Sequence, residues 1–108
     1  MKKVTFLSRL FVTGITEPTN IISIGDPGED IPIFGCEHKR MLRLEFDDIE
    51  EQISPEYRLF SHSDAGKVLR FIAECGDEDI LVHCHAGISR SAAVAMFMNE
   101  RLGYFLDL

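Results

Sequence analysis

The sequence predicts an α/β fold with a mainly parallel central sheet flanked by helices. Short runs rich in β-branched residues alternate along the chain with segments whose apolar residues recur at helical spacing. Alternation of this kind is typical of parallel strands joined through helices. Near residue 84 a strand, a glycine-containing loop and a helix follow one another, which also indicates this fold. Ligands of such folds lie beyond the carboxyl ends of the strands.

Length and composition predict one globular domain over residues 1–108. A chain of 108 residues is near the lower end of sizes that bury a self-sufficient core. No apolar run approaches the roughly 20 residues of a membrane helix, so we expect no membrane partner and a cytoplasmic location. The formal charge of -7 argues against a general nucleic-acid surface.

Three cysteines occur in the chain: Cys36, Cys75 and Cys84. Their odd number and the lack of C-x-x-C spacing predict reduced thiols rather than a disulfide framework or a zinc site. His83 and His85 flank one of them, but alternate residues leaving a strand diverge, so we expect no metal and no cofactor.

The first half of the chain predicts three strands. They lie at 3–7, 21–24 and 40–45, with a short helix at 8–12 and a turn at 25–28. Alternation in the third strand predicts that Met41, Leu44 and Phe46 are buried. The basic residues beside it, His38, Lys39 and Arg40, suggest either an exposed face or a patch that steers phosphorylated ligands.

The next segment is strongly acidic from 45 to 51 and predicts a loop, because no packed interior tolerates that charge density. Ser61 or Ser63 can then cap a helix at about 64–75. Its predicted buried stripe consists of Val68, Leu69, Ile72 and Ala73.

The last part predicts a strand at 80–82 and a helix that stops at Gly103. This helix is apolar on most faces, which predicts a position in the centre of the domain. The apolar tail at 104–108 has no predicted element. Either the domain is minimal or truncated there, or the tail packs against a second copy of the chain and makes a homo-oligomer.

The loop between the last strand and helix carries Cys84 and Arg90 at Cys-x5-Arg spacing. Backbone N–H groups at the start of a helix converge on one point and favour an anion there. The same groups and the guanidinium favour the thiolate of a cysteine whose ordinary pKa is about 8.5. The loop therefore predicts a nucleophile below a bound oxyanion.

At residues 83–91 the sequence resembles the HCxAGxSRS loop of cysteine-dependent protein tyrosine phosphatases, in particular small dual-specificity-like members of bacteria and phages. The matching residues are His83, Cys84, Ala86, Gly87, Ser89, Arg90 and Ser91. The resemblance implies a phosphatase-like α/β fold. It also implies hydrolysis of phosphomonoesters of phosphotyrosine, and of phosphoserine or phosphothreonine as an open alternative.

The resemblance assigns roles within this loop. Cys84 is the expected nucleophile, Arg90 the phosphate clamp, Ser91 the donor that helps the sulfur leave, and His83 a support of the loop backbone. Phosphate contacts are expected from the stretch His85, Ala86, Gly87, Ile88, Ser89 and Arg90.

The leaving group needs a proton, and relatives take it from an upstream aspartate. Asp48 is 36 positions before Cys84 in a Phe-x-Asp-Ile pattern, and we prefer it over Asp47. Neighbouring carboxylates would disfavour its ionised form.

The main alternative is a phosphoprotein-binding module that uses the same anion site without turnover. Retention of both the cysteine and the arginine weighs against it, because binding alone needs no thiolate. The loop length and residues also argue against rhodaneses, phosphoinositide phosphatases and RNA triphosphatases. In low-molecular-weight phosphatases and arsenate reductases the cysteine lies near the N-terminus.

Overall fold

The structure is a computed structural model that describes residues 2–47, 60–85 and 90–107. Its five strands form one sheet in the order β3-β2-β4-β1-β5, and every pairing is parallel. The predicted α/β fold with a parallel sheet is therefore confirmed. The elements are β1 (Lys3–Ser8), α1 (Arg9–Val12), β2 (Asn20–Gly25), β3 (Arg40–Glu45), α2 (His62–Cys75), β4 (Ile80–Cys84), α3 (Arg90–Leu102) and β5 (Phe105–Asp107).

Strand register brings the carboxyl ends of four strands to one edge of the sheet. Cys84 pairs with Ser8 of β1, and its neighbour His83 pairs with Ser23 of β2. On the next strand pair, Gly25 lies opposite Glu45. Side chains that follow these strands in the sequence therefore meet around the end of β4.

The two faces of β4 carry different kinds of buried side chain, because side chains alternate along a strand. Ile80, Val82 and Cys84 join the apolar core with α2 and α3. His83 lies on the other face and is 1% exposed. Each fully buried aliphatic side chain of the core stabilises the fold by about 1.5–3 kcal/mol.

Ser61 is the N-cap of α2, and its side chain and that of Asp64 form a reciprocal capping box. The predicted buried stripe of α2 is partly wrong. Val68 is buried, but Leu69 is 46% exposed, and Phe71 and Cys75 are buried instead. Positions 68, 71 and 75 repeat at helical spacing on one side, whereas position 69 is turned about 100° away.

The predicted central position of α3 is also wrong. Val94, Ala95 and Met98 pack on the sheet, while Ala93 is exposed and Met96 is 49% exposed. The helix covers one face of β1 and β4. Alanines count as apolar in the sequence pattern, but exposing such a small side chain to water costs little free energy. The pattern therefore overestimates how much of the helix is buried.

Residues Phe105–Asp107 form an edge strand that the sequence did not predict. The N–H of Phe105 donates to the Lys2 carbonyl at 3.0 Å, and Tyr104 is only 2% exposed. Gly103 has φ +75° and ends α3 as predicted. The tail thus packs within its own chain; self-association through the 54% exposed Phe105 stays a prediction.

β3 is the edge strand on the side of the sheet opposite to β5, and the strand is only partly buried. Leu44 and Phe46 are buried as predicted, but Met41 is 42% exposed because its face of the edge strand is incompletely covered. Among the described residues, no helix is long and apolar enough to cross a membrane.

Candidate active site

Cys84 is the last residue of β4, and its side chain is 2% exposed. Its Sγ lies 3.2 Å from Oγ of Ser91, which is fully buried in the first turn of α3. A thiol donates to that oxygen, whereas a thiolate would accept from the hydroxyl. The strand end and the helix start therefore hold sulfur and hydroxyl in hydrogen-bond contact.

Arg90 begins α3 and is 8% exposed. Its Nη1 donates to Oδ1 of Asp26 at 2.7 Å and to the carbonyl oxygen of Phe46 at 3.1 Å. Its buried Nε has no hydrogen-bond partner among the described residues. A buried donor without an acceptor is costly, at about 1–3 kcal/mol, so this nitrogen points to a missing acceptor.

Nη1 is anchored on one side of the guanidinium, and the opposite edge is formed by Nε and Nη2. The Nε on that edge has no acceptor in the described parts of the chain. Two parallel N–H groups on one edge match two oxygens of a phosphate or carboxylate. The site can therefore bind an oxyanion through Arg90 close to the sulfur.

Asp26 is a functional candidate that the sequence reading missed. It lies in the turn after β2, which was predicted only as a chain reversal. The turn is closed by hydrogen bonds from the Asp26 N–H to Glu29 Oε1 at 2.8 Å and from the Gly28 N–H to Glu45 Oε1 at 2.9 Å. An acid just past the strand next to β4 was the available signal, because parallel strands end at a common edge.

His83 is enclosed on the face opposite Cys84. Its Nε2 is 2.6 Å from Oγ of Ser23, which also accepts from Nη1 of Arg43 at 2.9 Å. Burial lowers the pKa of His83 to about 4, and the charge of Arg43 acts in the same direction, against a hydrogen bond with the Cys84 backbone. The ring is therefore neutral at physiological pH.

Arg43 extends this cluster beyond the histidine. Its Nη1 donates to Ser23 Oγ, and the same oxygen shares a hydrogen bond with His83 Nε2. Nη2 of Arg43 also donates to the Glu29 carbonyl at 2.8 Å. A polar chain thus runs from beneath the Cys84 strand end to the turn that carries Asp26.

The remaining predicted residues are placed as follows. His85 is exposed, and its carbonyl accepts from the Arg9 N–H at 3.1 Å, which fixes the start of α1 against the end of β4. Asp47 is half-buried at the end of a described segment. Asp48 and the loop residues Ala86, Gly87, Ile88 and Ser89 lie outside the described residues.

The basic residues before β3 are not brought to this site. Lys39 and Arg40 pair with Glu78 at 2.9 and 2.6 Å, at the amino ends of the strands. Their pairing supports the interpretation as an exposed face. Within the described ranges, no group of three or more His, Cys, Asp or Glu residues could hold a metal ion.

Comparison with protein-family models, with curated proteins and with solved structures found no match to this chain.

Proposed function

We propose that the chain is a cysteine-dependent phosphomonoester hydrolase of the protein tyrosine or dual-specificity type. One observation carries the proposal: the Cys84 sulfur lies 3.2 Å from Ser91 Oγ, next to a buried Arg90 whose Nε has no acceptor among the described residues. A phosphatase-like version of the parallel α/β fold belongs to the same proposal. The Cys-x5-Arg spacing and its resemblance to the phosphatase loop support it.

In the first step the Cys84 thiolate attacks phosphorus in line with the ester oxygen. An S–P bond forms while the P–O bond to the leaving group breaks, and two phosphoryl oxygens are held by Arg90. Phosphoryl transfer needs mainly positioning and charge stabilisation, which a fixed guanidinium supplies. Asp26 and the Phe46 carbonyl hold that guanidinium before substrate arrives.

In the second step water attacks phosphorus, inorganic phosphate leaves and the thiolate is regenerated. Ser91 Oγ is already 3.2 Å from the sulfur. Its hydroxyl can donate to the sulfur as negative charge returns there, which makes the thiolate a better leaving group.

The leaving oxygen in the first step takes a proton from a carboxylic acid, which we assign to Asp48. Asp47, its neighbour, is the competing candidate. Phe46 supports an acid on this segment, because its carbonyl contacts Arg90 and so ties the end of β3 to the site.

Hydrolysis of p-nitrophenyl phosphate tests the proposal. We expect turnover by the wild type, none by Cys84→Ser, and unchanged turnover by Cys36→Ser, which alters a half-buried cysteine whose sulfur lies beside the ring of His38. Activity that survives Cys84→Ser would refute the mechanism. Tight binding of phosphopeptides with no turnover by the wild type would instead identify a phosphoprotein-binding module.

A further inference from the structure

An open hollow of about 750 Å³ lies beside the candidate active site. Its lining includes Arg9, Glu29, Asp30, Ile31, Ile33 and Glu45. The hollow adjoins the phosphate clamp, because Glu29 closes the turn whose first residue, Asp26, contacts Arg90. A ligand bound near Arg90 would therefore reach it with its neighbouring groups.

Arg9 fixes the hollow relative to the end of β4. Its Nη1 donates to Glu29 Oε2 at 3.0 Å and to the Asp30 carbonyl at 2.9 Å. Its backbone N–H donates at 3.1 Å to the carbonyl of His85, the residue directly after Cys84. The hollow and the strand end are thus parts of one hydrogen-bonded assembly.

The charges around the hollow leave one carboxylate uncompensated. Each nearby arginine faces one acid, in the pairs Arg9 with Glu29, Arg43 with Glu45 and Arg90 with Asp26. The exposed carboxylate of Asp30 has no ion pair with any residue in the described parts of the chain. A phosphate dianion on Arg90 would add further negative charge, so the hollow then favours a cation.

The apolar part of the hollow is exposed. Ile31, directly after Asp30 in the sequence, is 46% exposed, and Ile33 is 91% exposed. Lysine and arginine combine an apolar stem with a cationic head, and such side chains cover apolar surface while the head stays near water or a carboxylate. Two isoleucines beside an unpaired carboxylate match that shape.

We propose that this hollow binds a lysine or arginine side chain that flanks the phosphorylated residue of a protein substrate. The inference rests on the proposed phosphatase function and names its substrate class. The cationic head pairs with Asp30, and the stem packs on Ile31 and Ile33. Small phosphomonoesters lack this contact.

Binding of phosphopeptides to Cys84→Ser protein tests the inference without turnover. The probes are fluorescein-labelled phosphotyrosine peptides that are alanine-rich and carry a single lysine, moved one position at a time along both flanks. We expect one or two positions to bind about threefold to fivefold more tightly than the peptide without lysine. The preference should shrink when salt is raised from about 0.05 to about 0.5 M.

Charge reversal locates the effect. Asp30→Lys in the Cys84→Ser background should abolish the lysine preference. Glu100→Lys makes the same charge change on an exposed residue of α3 and should keep it. A lysine preference that survives Asp30→Lys, or equal binding of all peptides, or no binding of any peptide, would overturn the inference.

The wild-type assay with p-nitrophenyl phosphate separates the two proposals. Turnover without any lysine preference would overturn the proposed binding of lysine or arginine in the hollow and leave the proposed phosphatase activity intact. A lysine preference without turnover would support the hollow as a peptide-binding site and overturn the proposed phosphatase activity.

Discussion

Asp26 and Arg90 are 64 residues apart in the sequence, yet Oδ1 of Asp26 lies 2.7 Å from Nη1 of Arg90. The arginine side chain is 8% exposed and the aspartate 61%. The buried cation is thus held from the solvent side by a carboxylate. This contact decides which edge of the guanidinium is left for a ligand.

Asp26→Asn should lower kcat for p-nitrophenyl phosphate by about tenfold, because the guanidinium loses a charged anchor and its free edge becomes less well oriented. Asp77→Asn, an exposed residue after α2, is the matched control and should leave kcat unchanged. The split between kcat and KM is the measurement. An unchanged kcat in Asp26→Asn would show that the anchor plays no part in turnover.

Arg90→Lys should reduce kcat/KM by about 10²-fold or more, because an ammonium keeps the charge but not the two parallel donors. Arg70→Lys on the exposed side of α2 makes the same exchange away from the site. Inhibition by inorganic phosphate should weaken in parallel with kcat/KM. If Arg90→Lys retained wild-type kcat/KM, the two-donor clamp would be excluded.

Asp48→Ala should lower kcat by about 10²-fold on phenyl phosphate, which has a poor leaving group that needs a proton. The loss should be smaller on p-nitrophenyl phosphate, whose leaving group is stable as an anion. Asp47→Ala is the matched control. The same leaving-group dependence in Asp47→Ala, and not in Asp48→Ala, would move the acid to Asp47.

The stability of the protein should fall as the pH drops from about 6.5 towards 4. The folded state holds His83 neutral down to a pKa of about 4, whereas the unfolded chain protonates it near 6.5. The unfolded state therefore binds more protons in this window, and His83 contributes about 1.4 kcal/mol of lost stability per pH unit there. Above pH 6.5 the group has no effect.

Urea unfolding at several pH values measures this slope. His83→Gln should flatten the fall, even if the variant is less stable at neutral pH. His62→Gln, at an exposed position in α2, should keep the wild-type slope. An equally steep fall in His83→Gln would assign the acid sensitivity to other groups, such as His38, whose pKa burial also lowers.

Much of the fold could be predicted because its strands are marked by local patterns. The bounds of β3 were predicted correctly, and β2 and β4 differ from the prediction only at their ends. β5 could not be predicted, since a three-residue strand has too little periodicity and is formed by pairing with β1. The buried side of α2 was misjudged because Leu69 is apolar in composition but faces solvent.

The candidate site was predicted where its residues are close in sequence. Cys84, Arg90 and Ser91 belong to one loop and the turn of helix that follows it. Asp26 follows β2 and Arg43 lies in β3, and only the register of a parallel sheet brings them to the end of β4. Their side chains carry no local motif, which is why sequence patterns alone did not select them.

The pairing of β1 with β5 has a consequence for folding. Lys3 lies opposite Phe105, so this contact closes a loop of nearly the whole sequence, and the other partner of β1 is β4, which begins at Ile80. Contacts of such long range form slowly. During synthesis β1, which carries Val4, Phe6 and Leu7, therefore has no strand partner until β4 has been made. We expect expression at low temperature or with chaperones to raise the soluble yield.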